Sequence, residues 1–540
     1  MKNCYLTAVF VLFSILATTG QSWQWAKPLG SDCPPFHPYL SSMICDGENS
    51  WMIGDYSGCL YLQNDTLHSN GTNDIYIVKY DGNGNELWSR TVGGNYTGLT
   101  YSEFATAVFD SVTQSIYLTG TLVYDVLMGT NLQADKGDIF VARMDLNGNY
   151  IWAKLFHSSG YYDYANIFVS PTGKLHLITN TTDSTYFDSL HLGAGAGLVE
   201  LDSLGNCTYA NNKFIIPRSG FNWVSINFID NDLILYGTYT SSPFQIDTIT
   251  LVSKGASDGF IARTDSIGNL KWIKTFGGVG SDVVNSVVVD DNNQIYFYGL
   301  FTDTFNLGLT ALYHSGFDML IGKMDGLGNL IWARQGFATG TILYPNSIIT
   351  NGVGQCYMTG TFDGSLNFGN QTLTASHPYE GFIAKIDSNG QWLGSTNFGE
   401  AHSDNLALDN QGSVYVSGEF SNTLTLGSTS LNSQGSLDVF LAKHDAITGV
   451  IETKREKNYE LIIYANPSRG LCTVTVPEEF KNELSLTLNI YDVGGKIIQT
   501  IPVGTSEEKI HLDLQSESKG TYTVSLSNGK KIYRGKIVFE

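Results

Sequence analysis

DIYIVKYDGNGNELW, residues Asp74–Trp88, decides how the rest of the chain is read. Its first half alternates, the period of a strand with one buried face. Asp81-Gly-Asn-Gly-Asn85 then supplies turn chemistry, because Asp bonds its own backbone and Gly or Asn accepts positive φ. A second strand follows and carries Trp88. The pattern returns as DIFVARMDLNGNYIW (Asp138–Trp152), DGFIARTDSIGNLKW (Asp258–Trp272) and DMLIGKMDGLGNLIW (Asp318–Trp332). Weaker copies start at Gly197, Glu380 and Asp438. The anchoring aspartates are Asp81, Asp145, Asp202, Asp265, Asp325, Asp387 and Asp445, at spacings of 64, 57, 63, 60, 62 and 58 residues. Seven copies at so regular a period signal a repeat architecture.

Between these hairpins lies another strand pair, whose second member reads IYLTGTL from Ile116, LILYGTY from Leu233, IYFYGLF from Ile295, CYMTGTF from Cys356 and VYVSGEF from Val414. Each period therefore holds four strands in roughly 60 residues, above the ~40–50 usual for a propeller blade, so some loops are long. A four-stranded sheet cannot cover both faces alone, and stacking sheets around an axis buries them. Trp25-Ala26-Lys27 copies the Trp-bearing strand without the half-repeat before it. An orphan strand at the start fits a ring closed by pairing the two chain ends. The expectation is all-β: a seven-bladed β-propeller followed by a small Ig-like β-sandwich.

Residues 22–453 resemble the bacterial β-propeller repeat family, with its DxFIAKxDxxGNxxW run and an FGGxGSD-type segment, here Phe276–Asp282. The third copy departs, with Glu200 for the basic residue and Tyr209 for the Trp; the seventh has Glu452 at the Trp position. The resemblance implies a fold and no particular activity.

The formal charge is −21, from 30 Lys+Arg against 51 Asp+Glu. Such acidity argues against nucleic acid or anionic lipid as partner. Residues 457–540 hold 10 basic and 10 acidic side chains, so the deficit sits wholly before them and marks a domain boundary. Lys2 followed by the apolar run Leu6–Ala17 reads as a signal peptide over residues 1–20, too short to span a bilayer. The remaining expected divisions are the propeller at 21–453, a linker at 454–460 and a C-terminal module at 461–540. Cys33, Cys45 and Cys59 cluster near the mature N-terminus, where one disulfide is expected in an oxidising compartment.

Three ordered motifs fill the C-terminal module: Asn466-Pro467 with Gly470; Tyr491-Asp492 with Gly494-Gly495-Lys496; and Lys519-Gly520-Thr521-Tyr522. They resemble the type A C-terminal sorting domain of type IX secretion, with Ala465 where that family has Pro. The resemblance implies export to the surface or surroundings of a Gram-negative bacterium, with the secretion machinery as partner.

Catalytic signatures are absent: no G-x-S-x-G, no H-E-x-x-H, and ten His without pairing. Gly277–Ser281 lacks the Lys and helix a phosphate loop needs. Calcium at the Asp-x-x-Gly-Asn loops is the one cofactor weighed; a Glu at the twelfth position would complete such a loop, and Val92 and Phe156 stand there. No metal or catalytic residue is assigned. Trp88, Trp152, Trp272 and Trp332 are read as structural. The expected function is a non-enzymatic surface protein binding a glycan or protein ligand. A propeller glycoside hydrolase or polysaccharide lyase with paired carboxylates at the axis is the alternative; a passive matrix component is the third.

Overall fold

The computed structural model describes residues 22–31, 37–71, 73–93, 106–122, 126–128, 130–134, 137–160, 164–215, 223–240, 244–307, 310–369, 371–445, 447, 459–477, 480, 486–492, 497–504, 507–528 and 532–540. The signal-peptide and linker expectations therefore lie outside them, apart from Tyr459 and Glu460. The chain forms two compact units, Met1–Val450 and Ile451–Glu540.

Alternating strands joined by tight turns make the first unit a set of antiparallel meanders. Among the described residues there are seven, each built on four antiparallel strands. Their first strands are Tyr39–Cys45, Thr106–Asp110, Tyr164–Val169, Trp223–Ile229, Val283–Val289, Leu343–Thr350 and Ala401–Leu408. These seven touch in sequence order, and Ala401–Leu408 returns to Tyr39–Cys45, so they line the axis of a closed ring. The unit is a β-propeller. Its core lies between sheets: Ile383 and Phe398 of the sixth, for example, pack with Val416 and Phe440 of the seventh.

Closure follows the orphan strand. Trp23–Leu29 pairs antiparallel with Asp438–His444 and completes the seventh sheet. Asp445 accepts from Ser22 N at 3.2 Å, Ser22 Oγ at 2.8 Å and Gln24 Nε2 at 2.9 Å, and so holds the incoming strand.

The long period has a structural cause. Six sheets insert a two-stranded hairpin between their second and third strands, as at Thr185–Phe187 with Leu190–Leu192 and Ser365–Phe368 with Gln371–Thr374. In the fifth sheet the two strands themselves run on, as Ile295–Leu307 and Thr310–Met324. What the sequence left as long loops is ordered strand. Some hairpins also pair with the preceding sheet's outer strand, as in Phe337↔Asn367. The acidic residue that opens six of the seven motifs anchors the loops here; the third copy has Gly195 in its place. Asp138, fully buried, accepts Ser158 N at 2.8 Å, and Asp438 accepts Gln434 N at 2.7 Å.

The remaining motif residues join neighbouring sheets. Trp88 Nε1 and Lys79 Nζ both donate to Leu146 O of the next sheet, at 3.1 and 3.0 Å. Trp332 and Lys323 converge on Ser388 O at 3.0 and 3.2 Å, and Trp272 and Arg263 on Gly326 O at 3.3 and 2.8 Å. At the closing seam Trp25 and Lys443 meet Gly82 O at 3.2 and 3.1 Å, so Trp25 does for the seventh sheet what Glu452 cannot. Trp152 reaches Ser203 O at 3.1 Å without help from Arg143, which turns to Ser115 Oγ at 3.1 Å. The turn glycine makes the contact close. A Cβ on Gly84, at φ 77°, would lie 2.6 Å from the Trp25 ring.

Turn hydrogen bonds occupy both oxygens of five of the repeat aspartates. Asp81 Oδ1 accepts Asn83 N at 2.9 Å and Asn85 N at 2.8 Å; Oδ2 accepts Asn85 Nδ2 at 2.9 Å. Burial pushes its carboxyl up, but these bonds outweigh burial and hold it below the usual range. Asp145, Asp202, Asp265 and Asp325 repeat the geometry, and Asp387 accepts Asn389 N and Gln391 N. Among the described residues Cys45 is a free thiol, and its sulfur accepts Gly47 N at 3.3 Å. Cys59 Sγ lies 3.4 Å from His68 Nδ1, and Cys33 is outside the described residues.

The second unit is a two-sheet sandwich. A five-stranded sheet carries Leu488, Ile490 and Val524, and a three-stranded sheet carries Val474, Ile510 and Leu512, all in one core.

Trp332 is only 8 % exposed and bonds the sixth sheet. Trp332→Ala should cost about 3–5 kcal/mol in urea unfolding. Trp332→Phe should cost less, since it keeps most of the apolar area and loses the N–H.

Candidate functional site

The site arises from an irregularity repeated in the axial strands. In an ordinary antiparallel pair each residue has one partner; a bulge leaves one residue over and re-aims it. Four first strands have a bulge in the same place, at Ser41, Asn285, Asn346 and Asp404. All four line one axial cavity of about 440 Å³, together with Thr238 and Val283.

The second strand makes room. Opposite each bulge stands a glycine: Gly54, Gly299, Gly360 or Gly418. A Cβ there would sit 1.9 Å from Tyr39 O, 1.9 Å from Val283 O, 2.2 Å from Tyr344 O or 1.9 Å from His402 O. Backbone carbonyls cannot yield that space without losing the bulge. The glycine of IYFYG, CYMTG and VYVSG is thus part of the axial site.

Two of these glycines precede an acidic residue, Asp55 and Glu419. Asp55 Oδ1 accepts Ser41 Oγ at 3.3 Å, and Asp404 Oδ1 accepts Asn346 Nδ2 at 3.1 Å. Glu419 accepts the Leu40 backbone N–H across the seam between the seventh and first sheets. Burial pushes Asp404 up to about 6. Burial, then the Asp404 and Asp55 charges, push Glu419 up to about 7 despite the Leu40 hydrogen bond. Neither is in an ion pair among the described residues.

Aromatic residues stand two positions before three of the bulges. Tyr39 and Tyr344 are 44 % and 51 % exposed. His402 lies with its ring centroid 6.5 Å from Tyr344 and 5.0 Å from Tyr379. Two polar atoms around the cavity lack protein partners, Thr238 Oγ1 and Asn285 Oδ1. Among the described residues no group of three His, Cys, Asp or Glu side chains has metal-binding spacing.

None of the seven repeat aspartates lines this cavity, nor do Trp88, Trp152, Trp272 and Trp332; they work between sheets. Sequence reasoning assigned no axial residue. The recurring glycine followed by Asp55 or Glu419 was the signal available.

In the second unit the sorting motifs serve the sandwich. Asn466 Nδ2 donates to Lys536 O at 2.6 Å while its Oδ1 accepts Val538 N at 2.8 Å, so the side chain continues the sheet edge. Pro467 follows it directly. Gly470 O accepts Leu514 N at 2.7 Å, and Gly470 adopts φ 93°. Gly520 opens the strand that carries Tyr522, whose hydroxyl donates to Ser518 O. Gly494, Gly495 and Lys496 lie outside the described residues.

The ring and this module together define an exported β-propeller. Residues 462–540 match the secretion system C-terminal sorting domain, which makes the chain a type IX secretion substrate, released or attached at the cell surface. No helix among the described residues is long and apolar enough to cross a membrane. Over 184 residues the chain is 25 % identical to an uncharacterized WD repeat-containing protein of Acanthamoeba polyphaga mimivirus, covering 29 % of this chain and 13 % of that protein. Solved structures with similarity include the phage phi92 endosialidase, at TM-score 0.35 and 11 % identity, covering 95 % of this chain and 87 % of that one. A DUF4221 member from Bacteroides vulgatus has TM-score 0.31 and 11 % identity, covering 64 % and 97 %. Both scores fall below 0.5, and the architecture rests on the sheets themselves.

Gly418→Ala should destabilise the propeller by about 1–3 kcal/mol in urea unfolding, because the His402 carbonyl must move. Glu419 supplies a pH signature. Between its ordinary 4.5 and about 7 the folded protein holds a proton that the unfolded chain releases, so stability falls as pH rises through that window. Glu419→Gln removes this dependence. The Tm of the variant relative to the native protein should therefore climb from pH 4.5 to above 7.

Proposed function

We propose that this protein is an extracellular glycan-binding propeller whose ligand enters the axial cavity. The carrying observation is the set of four bulges that aim Ser41, Asn285, Asn346 and Asp404 into one space. Hydroxyl, amide and carboxyl groups together offer both donors and acceptors, the chemistry a polyhydroxylated ligand matches. The half-exposed rings of Tyr39, Tyr344 and Tyr379 offer flat apolar faces against which sugar rings stack. A cavity of about 440 Å³ falls within the ~300–1,000 Å³ of small-molecule sites. Thr238 Oγ1 and Asn285 Oδ1 are buried polar atoms for which a ligand would complete the hydrogen bonding. Export by type IX secretion supports the reading, since it brings the cavity to where polysaccharides are met.

A second reading, glycoside hydrolysis, is favoured by one observation. Asp404 and Glu419, pushed up to about 6 and 7 chiefly by burial, suit proton transfer near neutral pH.

Titration of the full chain with oligosaccharides selected on a glycan array tests the first reading. Binding should weaken about tenfold in Asn346→Ala, the loss of one or two ligand hydrogen bonds. No binding to any saccharide, or unchanged affinity in that variant, would refute it. New reducing ends on prolonged incubation, abolished by Glu419→Gln, would establish the hydrolase instead.

A further inference from the structure

The bulged strands carry two tiers of side chains, one further along the strand than the other. In Leu343–Thr350, Pro345 pairs with Gly360 and Ser347 with Thr359, so Asn346 is left over and lines the cavity. Tyr344 stands two residues nearer the strand's start, about 6–7 Å away along it. Tyr39 and Tyr344 are half-exposed and line no part of the cavity, whereas the residues just beyond them, Leu40, Ser41 and Asn346, do. The strand starts therefore form the mouth, and the bulges lie inside it.

The outer tier is built from two sheets. His402, two residues before the bulge of the seventh sheet, brings its ring to Tyr344 and Tyr379, with centroids 6.5 and 5.0 Å away and both tilted by 40°. Burial holds its imidazole below the ordinary range, so at neutral pH it is an uncharged ring. Buried Glu380 fixes the loop that bears Tyr379: its carboxylate accepts Ser376 N and Ser376 Oγ at 3.0 Å and Asn397 Nδ2 at 2.9 Å. The rings are thus set in place before any ligand arrives. The inner tier is polar. It holds Asn346, together with Asn285 and Thr238, whose Oδ1 and Oγ1 lack protein partners.

A ligand that uses both tiers has a hydroxyl-rich unit inside and a unit with a flat C–H face outside, joined lengthwise. The strands lining a propeller's axis run along it, so such a ligand also lies along the axis. Only a chain end can do so, because an internal segment crossing the mouth meets the rings and misses Asn346. Among pyranoses, β-glucose has every ring substituent equatorial, which leaves the broadest C–H faces for aromatic contact.

We infer that the axial cavity takes the end of a β-linked, glucose-type chain, its terminal sugar at Asn285, Asn346 and Thr238 and its second sugar against Tyr344, His402 and Tyr379. This rests on the glycan-binding reading above. It adds that a chain end is read, through two sugars of all-equatorial configuration.

The test is NMR titration of the full chain with glucose, cellobiose, cellotriose and a cyclic β-glucan, which has no end. Cellobiose should bind about three- to tenfold more tightly than glucose, the range of one aromatic contact. Cellotriose should gain nothing further, and the cyclic glucan should not bind. Tyr344→Ala and Tyr379→Ala, each checked for cooperative thermal unfolding, should erase the advantage of cellobiose over glucose. Tyr344→Phe keeps the ring and should restore it, while Asn346→Ala should weaken both sugars together. Equal affinity for glucose and cellobiose, an advantage that survives both alanine variants, or a cyclic glucan bound as tightly as cellotriose would overturn the assignment. So would failure of all four probes while another saccharide binds, an outcome that leaves glycan binding standing. Binding to no saccharide at all would overturn both readings.

Discussion

One backbone carbonyl in the turn of a sheet, the one following the repeat aspartate, takes hydrogen bonds from an indole and a basic side chain of the sheet before it. Leu146 O, Gly326 O, Ser388 O and Gly82 O are each held in this way. The geometry fixes the spacing from basic residue to Trp. It demands glycine where the ring lies flat on the next turn, and it buries an ammonium that would otherwise be costly to desolvate. Aromatic rings one strand inward compensate: Lys79 lies 4.6 Å from the Trp51 ring centroid and Lys443 5.1 Å from that of Tyr415. The turn is thus less a connection than a docking surface, and four of the seven sheets are registered against their neighbours by the same few atoms.

The third sheet shows what happens when this contact changes. Glu200 stands where the others have Lys or Arg, and the residue paired with it is His176 rather than the Trp or Tyr found in most sheets. Lys174 comes in from the preceding turn to bond Glu200 at 2.9 Å, and Tyr209 reaches Ile267 O at 3.0 Å in place of an indole. An acid stands in the basic position, and the joint moves one residue along the turn, from the carbonyl after Asp265 to that of Ile267. The substitutions that weakened the repeat at this point of the sequence compensate one another in space.

This explains what was legible in advance. Asp, Gly, Asn and Trp serve contacts whose partners sit at a constant offset of one repeat, so periodicity revealed them, and with them the strands and the closing role of Trp25. The axial site obeys a different rule. Its four bulges are specified jointly by a glycine in one strand and an unpaired residue in another, and the side chains delivered there, Ser41, Asn285, Asn346 and Asp404, differ from sheet to sheet. Repetition announces the scaffold, and departures from it make the cavity. The inserted hairpins were missed for a related reason: three- and four-residue strands such as Leu190–Leu192 and Thr423–Leu426 are too short to show a period.

The closing seam has a consequence for how the molecule is made. Ser22 and Asp445 are joined across 423 residues, and Trp23–Leu29 waits for a partner strand that is synthesised last. Until then a nascent chain is an open arc with a bare strand edge at either end, the state most prone to mispairing between molecules. Any product that stops short of His444 keeps those edges, however many sheets it has completed. The sorting domain lies beyond that point, so a chain able to present it has already synthesised both halves of the clasp.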